Sequence, residues 1–277
     1  MNQGINSDFA ARLAAIVVLG LVLTALLAGQ IAPHDPEKAR PELRLKSPCL
    51  DYPLGTDQLG RCIFSRIVFG TRVSLFIGLA VVLLSALMGI ILGGAAGYFR
   101  GVLDEAIMRV VDAFLAFPSI FLALAVIGFL GSGLTNLMLS LILVEWTGYA
   151  RLMRSGVLAL RGKEFLEAAR GLGASDIYIM RRHILPNVLP SLLVMATLGM
   201  GNAILGAASL SFLGLGIQPP TPEWGAMMND ARPFIRAFPL MMIFPGIAIT
   251  ASVLAFNLLG EAIRVRLDPR SEIKKEL

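Results

Sequence analysis

Histidine and cysteine are scarce in this chain, with only His34, His183, Cys49 and Cys62 in 277 residues. The two histidines are far apart, so the sequence offers no recognisable histidine pair for metal binding or base catalysis, and no metal ligand set is assigned. A phosphate-binding loop is missing too. The nearest approach, "GVLALRGKE" at 156–164, has five residues between its glycines where four are needed, and Glu164 replaces the Ser or Thr that would hold magnesium. No G-x-G-x-x-G occurs. Charge is also sparse: Asp, Glu, Lys and Arg make up 16% of the chain, below the ~25% of soluble domains. These shortages argue against an ATP hydrolase, a metalloenzyme and a soluble globular domain.

What is abundant is apolar residue, at 56%, with a mean hydropathy of +0.75. It falls into continuous runs near 12–32, 73–98, 113–131, 134–158, 188–216 and 239–260. A helix of roughly 20 residues crosses a ~30 Å hydrocarbon core, so these runs predict an all-α integral membrane protein with six transmembrane helices. Their continuity excludes the alternating strands of a membrane barrel. The first run is longer than a signal-peptide core and is taken as a retained anchor. No soluble domain, internal repeat or low-complexity tract interrupts them, so residues 1–277 are expected to form one membrane domain. A secondary transporter would show a hydropathy repeat and paired broken helices, and neither is legible. A non-transporting scaffold would have no cavity.

Six spans put both termini on one side. With the N-terminus inside, the inner segments carry 15 Lys and Arg and the outer ones 9, so the positive-inside rule makes both termini cytoplasmic. Residues 33–72 then form an extracytoplasmic segment and 159–187 a cytoplasmic loop. The net charge of +5 matches basic loops facing anionic lipid and calls for no nucleic acid. Within the outer segment, "DQLGRCIFSRIVFGTRVSL" reads as an amphipathic helix on the membrane surface. Cys49 and Cys62 share that segment, either as a disulfide or as free thiols. Gly89, Gly93 and Gly97 recur every four residues in the second run, a seam for close helix packing inside the chain or against a partner. Five glycines between 199 and 216 predict a bent or adjustable fifth span.

The loop "EFLEAARGLGASDIYIMRRHILPN" is polar where its neighbours are not. Phe165, Leu166, Ala169 and Leu172 recur at helical spacing and define one apolar face. Gly173 suits the left-handed position that ends such a helix. Ser175 or Asp176 can cap a second helix that stops as Pro186 begins the next span. The pattern predicts a helix–turn–helix elbow.

Here the residues carry a resemblance. Glu167-Ala168-Ala169, then Gly173, then Leu185-Pro186 resemble the EAA loop of permeases in binding-protein-dependent ABC importers, with His183 standing where that pattern usually has Ile. "YPLGTDQLGR" at 52–61, "SFLGLGIQPPTPEWG" at 211–225 and "AFNLLGEAIRVRLDP" at 255–269 extend it across nearly the whole chain. Together they look like the C-type permease of the dipeptide, oligopeptide and nickel branch. The resemblance implies an ABC importer type I permease fold in the cell (inner) membrane and a chain that is not itself an enzyme. Its elbow would be a coupling helix seated in a nucleotide-binding subunit. The implied partners are a second homologous permease, two ABC subunits that bind ATP and magnesium, an extracellular solute-binding protein and membrane lipid. This chain would hold no cofactor.

Two acids fall within or beside the spans, where an unpaired charge costs a few kcal/mol. Glu145 either lines the pathway and attracts a cationic substrate or pairs with Arg151 or Arg154. Asp112 is a helix-entry residue, a partner of Arg109, or a second pathway candidate. The methionines, Met195, Met200, Met227, Met228, Met241 and Met242 among them, are read as core filling before metal ligands. "EWTGYARLMRS" and "MNDAR" look closer to nickel permeases than to peptide ones, and a dipeptide or oligopeptide load remains open.

Overall fold

A computed structural model describes residues 2–267, with side chains from residue 10 onward. The helices in chain order are α1 (Asn2–Leu26), α2 (Ala28–Ile31), α3 (Ile63–Phe99), α4 (Gly101–Leu115), α5 (Ser119–Leu130), α6 (Leu134–Leu160), α7 (Glu164–Gly171), α8 (Asp176–Ile179), α9 (Leu185–Phe212), α10 (Trp224–Ala231) and α11 (Leu240–Leu267). No strand occurs among the described residues. Part of the basic tail counted in the orientation argument, Arg270, Lys274 and Lys275, lies outside them.

Each apolar run is helical, but not every run is one straight rod. By length and composition, three helices can cross a membrane: Ile63–Phe99, the continuous Asp176–Phe212, and Leu240–Leu267. The first run supplies a shorter apolar helix, Ala10–Leu26, and the fourth supplies α6, 27 residues long but diluted by Glu145, Arg151 and Arg154. The third run differs from expectation. Pro118 disfavours α conformation in the residue before it, so the chain bends by 93° between α4 and α5. The 12 residues of α5 reach only about 18 Å, and with α4 they form a broken or re-entrant span.

Expected features of the outer segment change as well. Residues 32–62 are mostly irregular, with a 3₁₀ turn at Pro41–Leu43 and one bridge between Thr56 and Cys62. Residues 63–75 are the first turns of α3 and make no separate surface helix. Their polar face is buried instead against the short helix α10. Arg61 and Arg66, both 2% exposed, share the carboxylates of Asp57 and Asp230. The shortest of these contacts, from Arg61 Nε to Asp57, is 2.7 Å. Cys49 and Cys62 are free thiols.

The glycine seam packs inside the chain. A Cβ at Gly89 would strike Tyr149 and the Ala150 amide; one at Gly93 would strike the Ala150 carbonyl, and one at Gly97 would strike Val157. α3 therefore lies backbone to backbone along α6. The fifth run is one unbroken helix despite its glycines. Gly199, Gly201 and Gly206 sit inside unbroken α9 near Tyr149, Val253 and Leu141 respectively. Gly214, at φ +84°, ends the helix, with the Leu215 N–H donating to the Leu210 carbonyl.

Candidate coupling elbow and membrane cleft

The loop between α6 and α9 folds as the predicted elbow. Glu164 and Glu167 occupy the first turn of α7, where the helix dipole favours negative charge. Its end is a complete Schellman turn. Gly173 sits at φ +82°, its N–H donates to the Arg170 carbonyl at 2.9 Å, and the Ala174 N–H donates to the Ala169 carbonyl at 3.1 Å. Ser175 caps α8 by accepting from the Tyr178 N–H at 3.3 Å.

The elbow is pinned by a buried side and leaves the other side bare. Leu166 and Ile179 are fully buried and Ile184 nearly so; all three pack with Met153, Val157 and Val188. The Tyr98 hydroxyl, at the end of α3, donates to Asp176 at 2.5 Å, and Arg170 lies 5.7 Å from the Tyr98 ring centroid. His183 lies between Phe165 and Tyr178, with ring centroids 6.0 and 5.7 Å away, so an aromatic side chain fits where an aliphatic one was expected.

Two details depart from the sequence reading. Phe165 and Leu172 are not on the buried face: Leu172 is 89% exposed and stands with Ile177, Tyr178, Glu167 and Ala168 on the outward surface, while Ala169 is half-buried. The second arm also does not stop at Pro186. A five-residue π-helical turn, Met180–Ile184, runs into α9, and the Leu185 N–H reaches back to the Met180 carbonyl. That wider turn absorbs the missing Pro186 donor. Leu185 and Pro186 are thus inside a continuous rod.

The two acids separate clearly. Asp112 is exposed and accepts from Arg151 at 2.9 Å, whereas Arg109 turns to Glu105. Arg154 is held by Asp104 through two bonds of 2.6 and 2.8 Å. Neither arginine therefore pairs with Glu145, which has no hydrogen bond or ion pair among the described residues. Glu145 faces a cleft of about 400 Å³ between α5, α6 and α9. Ser119, Asn202 and Ser209 supply its other polar groups, and Ile120, Leu141, Val144 and Leu205 are among its apolar walls. These three polar residues were missed in the sequence because Ser119 lies on α5 and Asn202 and Ser209 on α9, far from Ser119 and from Glu145 along the chain.

On the side of the bundle away from the elbow, Glu223 caps α10 by accepting from the Gly225 and Ala226 N–H groups at 2.9 and 2.8 Å. Burial pushes its carboxyl above the usual range, and the hydrogen bonds from the Gly225 and Ala226 N–H groups oppose that shift. The Trp224 indole donates to the Ile67 carbonyl at 3.1 Å, locking α10 to α3.

Residues 85–273, which include the elbow and the cleft, match the family described as binding-protein-dependent transport system inner membrane component. The chain belongs to that family. This permease is 46% identical to the nickel transport system permease protein NikC of Escherichia coli (strain K12) over 269 residues, 97% of each chain. It is also 46% identical to the glutathione transport system permease protein GsiD of Escherichia coli O6:K15:H31 (strain 536 / UPEC), over 94% of this chain and 86% of that one. Solved structures share its fold. A chain of the inward-facing MetNI methionine ABC transporter aligns with a TM-score of 0.55 at 20% identity, covering 74% of this chain and 98% of its own. A chain of an amino acid ABC transporter solved with histidines aligns at 0.56 and 16% identity, covering 74% and 95%. The protein is thus an all-α membrane permease of an ABC importer with the type I fold, and permease rather than catalyst is the role of its relatives.

Proposed function

We propose that this permease forms half of the translocation pathway of an ATP-driven importer for nickel or small peptides. In this reading residues 1–277 are one membrane domain in the inner membrane, both termini are cytoplasmic, 33–72 face outward and 159–187 face inward. The elbow is the coupling element, with Glu167, Ala168, Ala169 and Gly173 at the contact and Leu185-Pro186 carrying motion into α9. The observation that carries the proposal is the division of the elbow into two sides. Leu166, Ile179 and Ile184 anchor it, while Leu172, Ile177 and Tyr178 project as apolar surface that only a partner would bury. Ala168 adds little bulk and lets that partner approach closely.

The partners are a second homologous permease, two nucleotide-binding subunits that take up ATP and magnesium, and an extracellular solute-binding protein. This chain carries no cofactor of its own. Glu145 lines the pathway. Asp112, engaged by Arg151, braces α4 against α6 instead.

Purification with the neighbouring subunits tests the proposal. Nucleotide-binding subunits should co-purify, and a cysteine introduced by Ala168→Cys should cross-link to them. A chain that moves solute alone down a proton gradient, or an elbow that cross-links only on the far side of the membrane, would overturn it.

A further inference from the structure

We infer that the cleft between α5, α6 and α9 is a recognition site for the protonated amine of a small organic solute, with Glu145 as the specificity-determining group. This rests on the pathway reading above and goes further by choosing between the two cargo classes. Glu145 supplies the one formal charge in the lining, and no lysine or arginine reaches the cleft. The two nearby arginines that could have neutralised it are taken by Asp104 and Asp112. A carboxylate without a partner in a membrane segment is costly, and a cation arriving with the solute removes that cost.

The remaining polar groups narrow the cation. An ammonium carries three N–H donors and no acceptor. The cleft offers the Glu145 carboxylate, the Asn202 amide oxygen and the Ser119 and Ser209 hydroxyls. The Ser209 hydroxyl donates to the Leu205 carbonyl at 2.7 Å, which leaves its lone pairs free to accept. The acceptor atoms are all oxygens and no histidine lines the cleft, whereas imidazole is the side chain that suits nickel. At about 400 Å³ the space lies within the ~300–1,000 Å³ of small-molecule sites, and its apolar walls suit the body of a short peptide.

The test uses the complete transporter with Cys49 and Cys62 replaced by Ser, and with Ser209→Cys or, separately, Asn202→Cys as a reporter. Positively and negatively charged methanethiosulfonates are compared for reaction rate. With Glu145 present the cationic reagent should react about tenfold faster than the anionic one, as expected for one nearby charge at low effective dielectric, and Glu145→Gln should bring the ratio close to one. In uptake, Glu145→Gln should reduce transport of a tripeptide relative to its N-acetyl form, and Glu145→Asp should restore part of the difference. Equal reagent rates with Glu145 in place, in an assembly that still imports and hydrolyses ATP, overturn the inference and leave the importer reading intact. So does a Glu145→Gln variant that loses nickel-salt uptake while its free-to-acetylated peptide ratio is unchanged. Failure of nucleotide-binding subunits to associate at all overturns the importer reading instead.

Discussion

The Tyr98 hydroxyl donates to the Asp176 carboxylate at 2.5 Å and joins the last turn of α3 to the first turn of the elbow's second arm. A hydrogen bond to a charged group contributes about 1.5–3 kcal/mol. Tyr98→Phe should therefore loosen the elbow while the spans stay inserted. The expected result is faster proteolysis or hydrogen exchange in 164–184 and reduced transport. Unchanged protection across that segment would show that the apolar anchors suffice.

The bend of the elbow depends on one backbone conformation. Gly173 has open space where a Cβ would go, so steric collision is not the difficulty; its φ of +82° is. Gly173→Val should cost about 1–3 kcal/mol locally and displace Leu172 and Ile177 from their common surface. Co-purification with the nucleotide-binding subunits should drop severalfold, and Leu172→Asp, which keeps the bend, should do the same.

Along the α3–α6 seam the opposite holds. At Gly93 a Cβ would meet the Ala150 carbonyl, which is backbone and cannot rotate away. Gly93→Ala should destabilise by about 1–3 kcal/mol, read as a lower melting temperature in detergent. Gly128→Ala, inside α5 with nothing within 4 Å, should be neutral or stabilising by up to about 1 kcal/mol.

Buried charge ties the outer segment to α10. Asp230→Asn would leave Arg61 and Arg66 sharing Asp57 alone, and removing one partner of a buried pair costs about 3–5 kcal/mol. A small fall in thermal stability would mean that solvent reaches the quartet and screens it.

Glu223 provides a pH test. Its carboxyl is raised by burial, so the folded state holds the proton more tightly than the unfolded chain. The resulting stabilisation is full below the ordinary glutamate value of 4.5 and is lost as pH rises from there through the raised folded value. Glu223→Gln should flatten that decline, and a variant with the wild-type pH profile would assign it to another group.

Much of this was legible in the sequence because it is local. Continuous apolar runs specify helices, Gly173 specifies the turn, and Ser175 or Asp176 offers the cap, a role the structure gives to Ser175. What could not be read depends on neighbours remote in the chain. The partner of Arg151 is Asp112, 39 positions away. The face that Leu172 occupies is fixed by how Leu166 seats, not by spacing alone. The 93° bend at Pro118 was indicated by the proline, but the apolar residues on both sides of it read as one run. The continuity through Pro186 was hidden for the converse reason: a π turn supplies an alternative bonding pattern that a proline rule does not anticipate.

That continuity has a mechanical meaning. Asp176 and Asn202 belong to one uninterrupted shaft and lie 26 residues apart, about 39 Å at helical rise. A torque applied to the knuckle does not have to cross a joint before it reaches the carboxylate-lined cavity. On the proposed reading, docking and solute release would share that axle, whose two irregularities before Asn202 are the π turn Met180–Ile184 and Pro190.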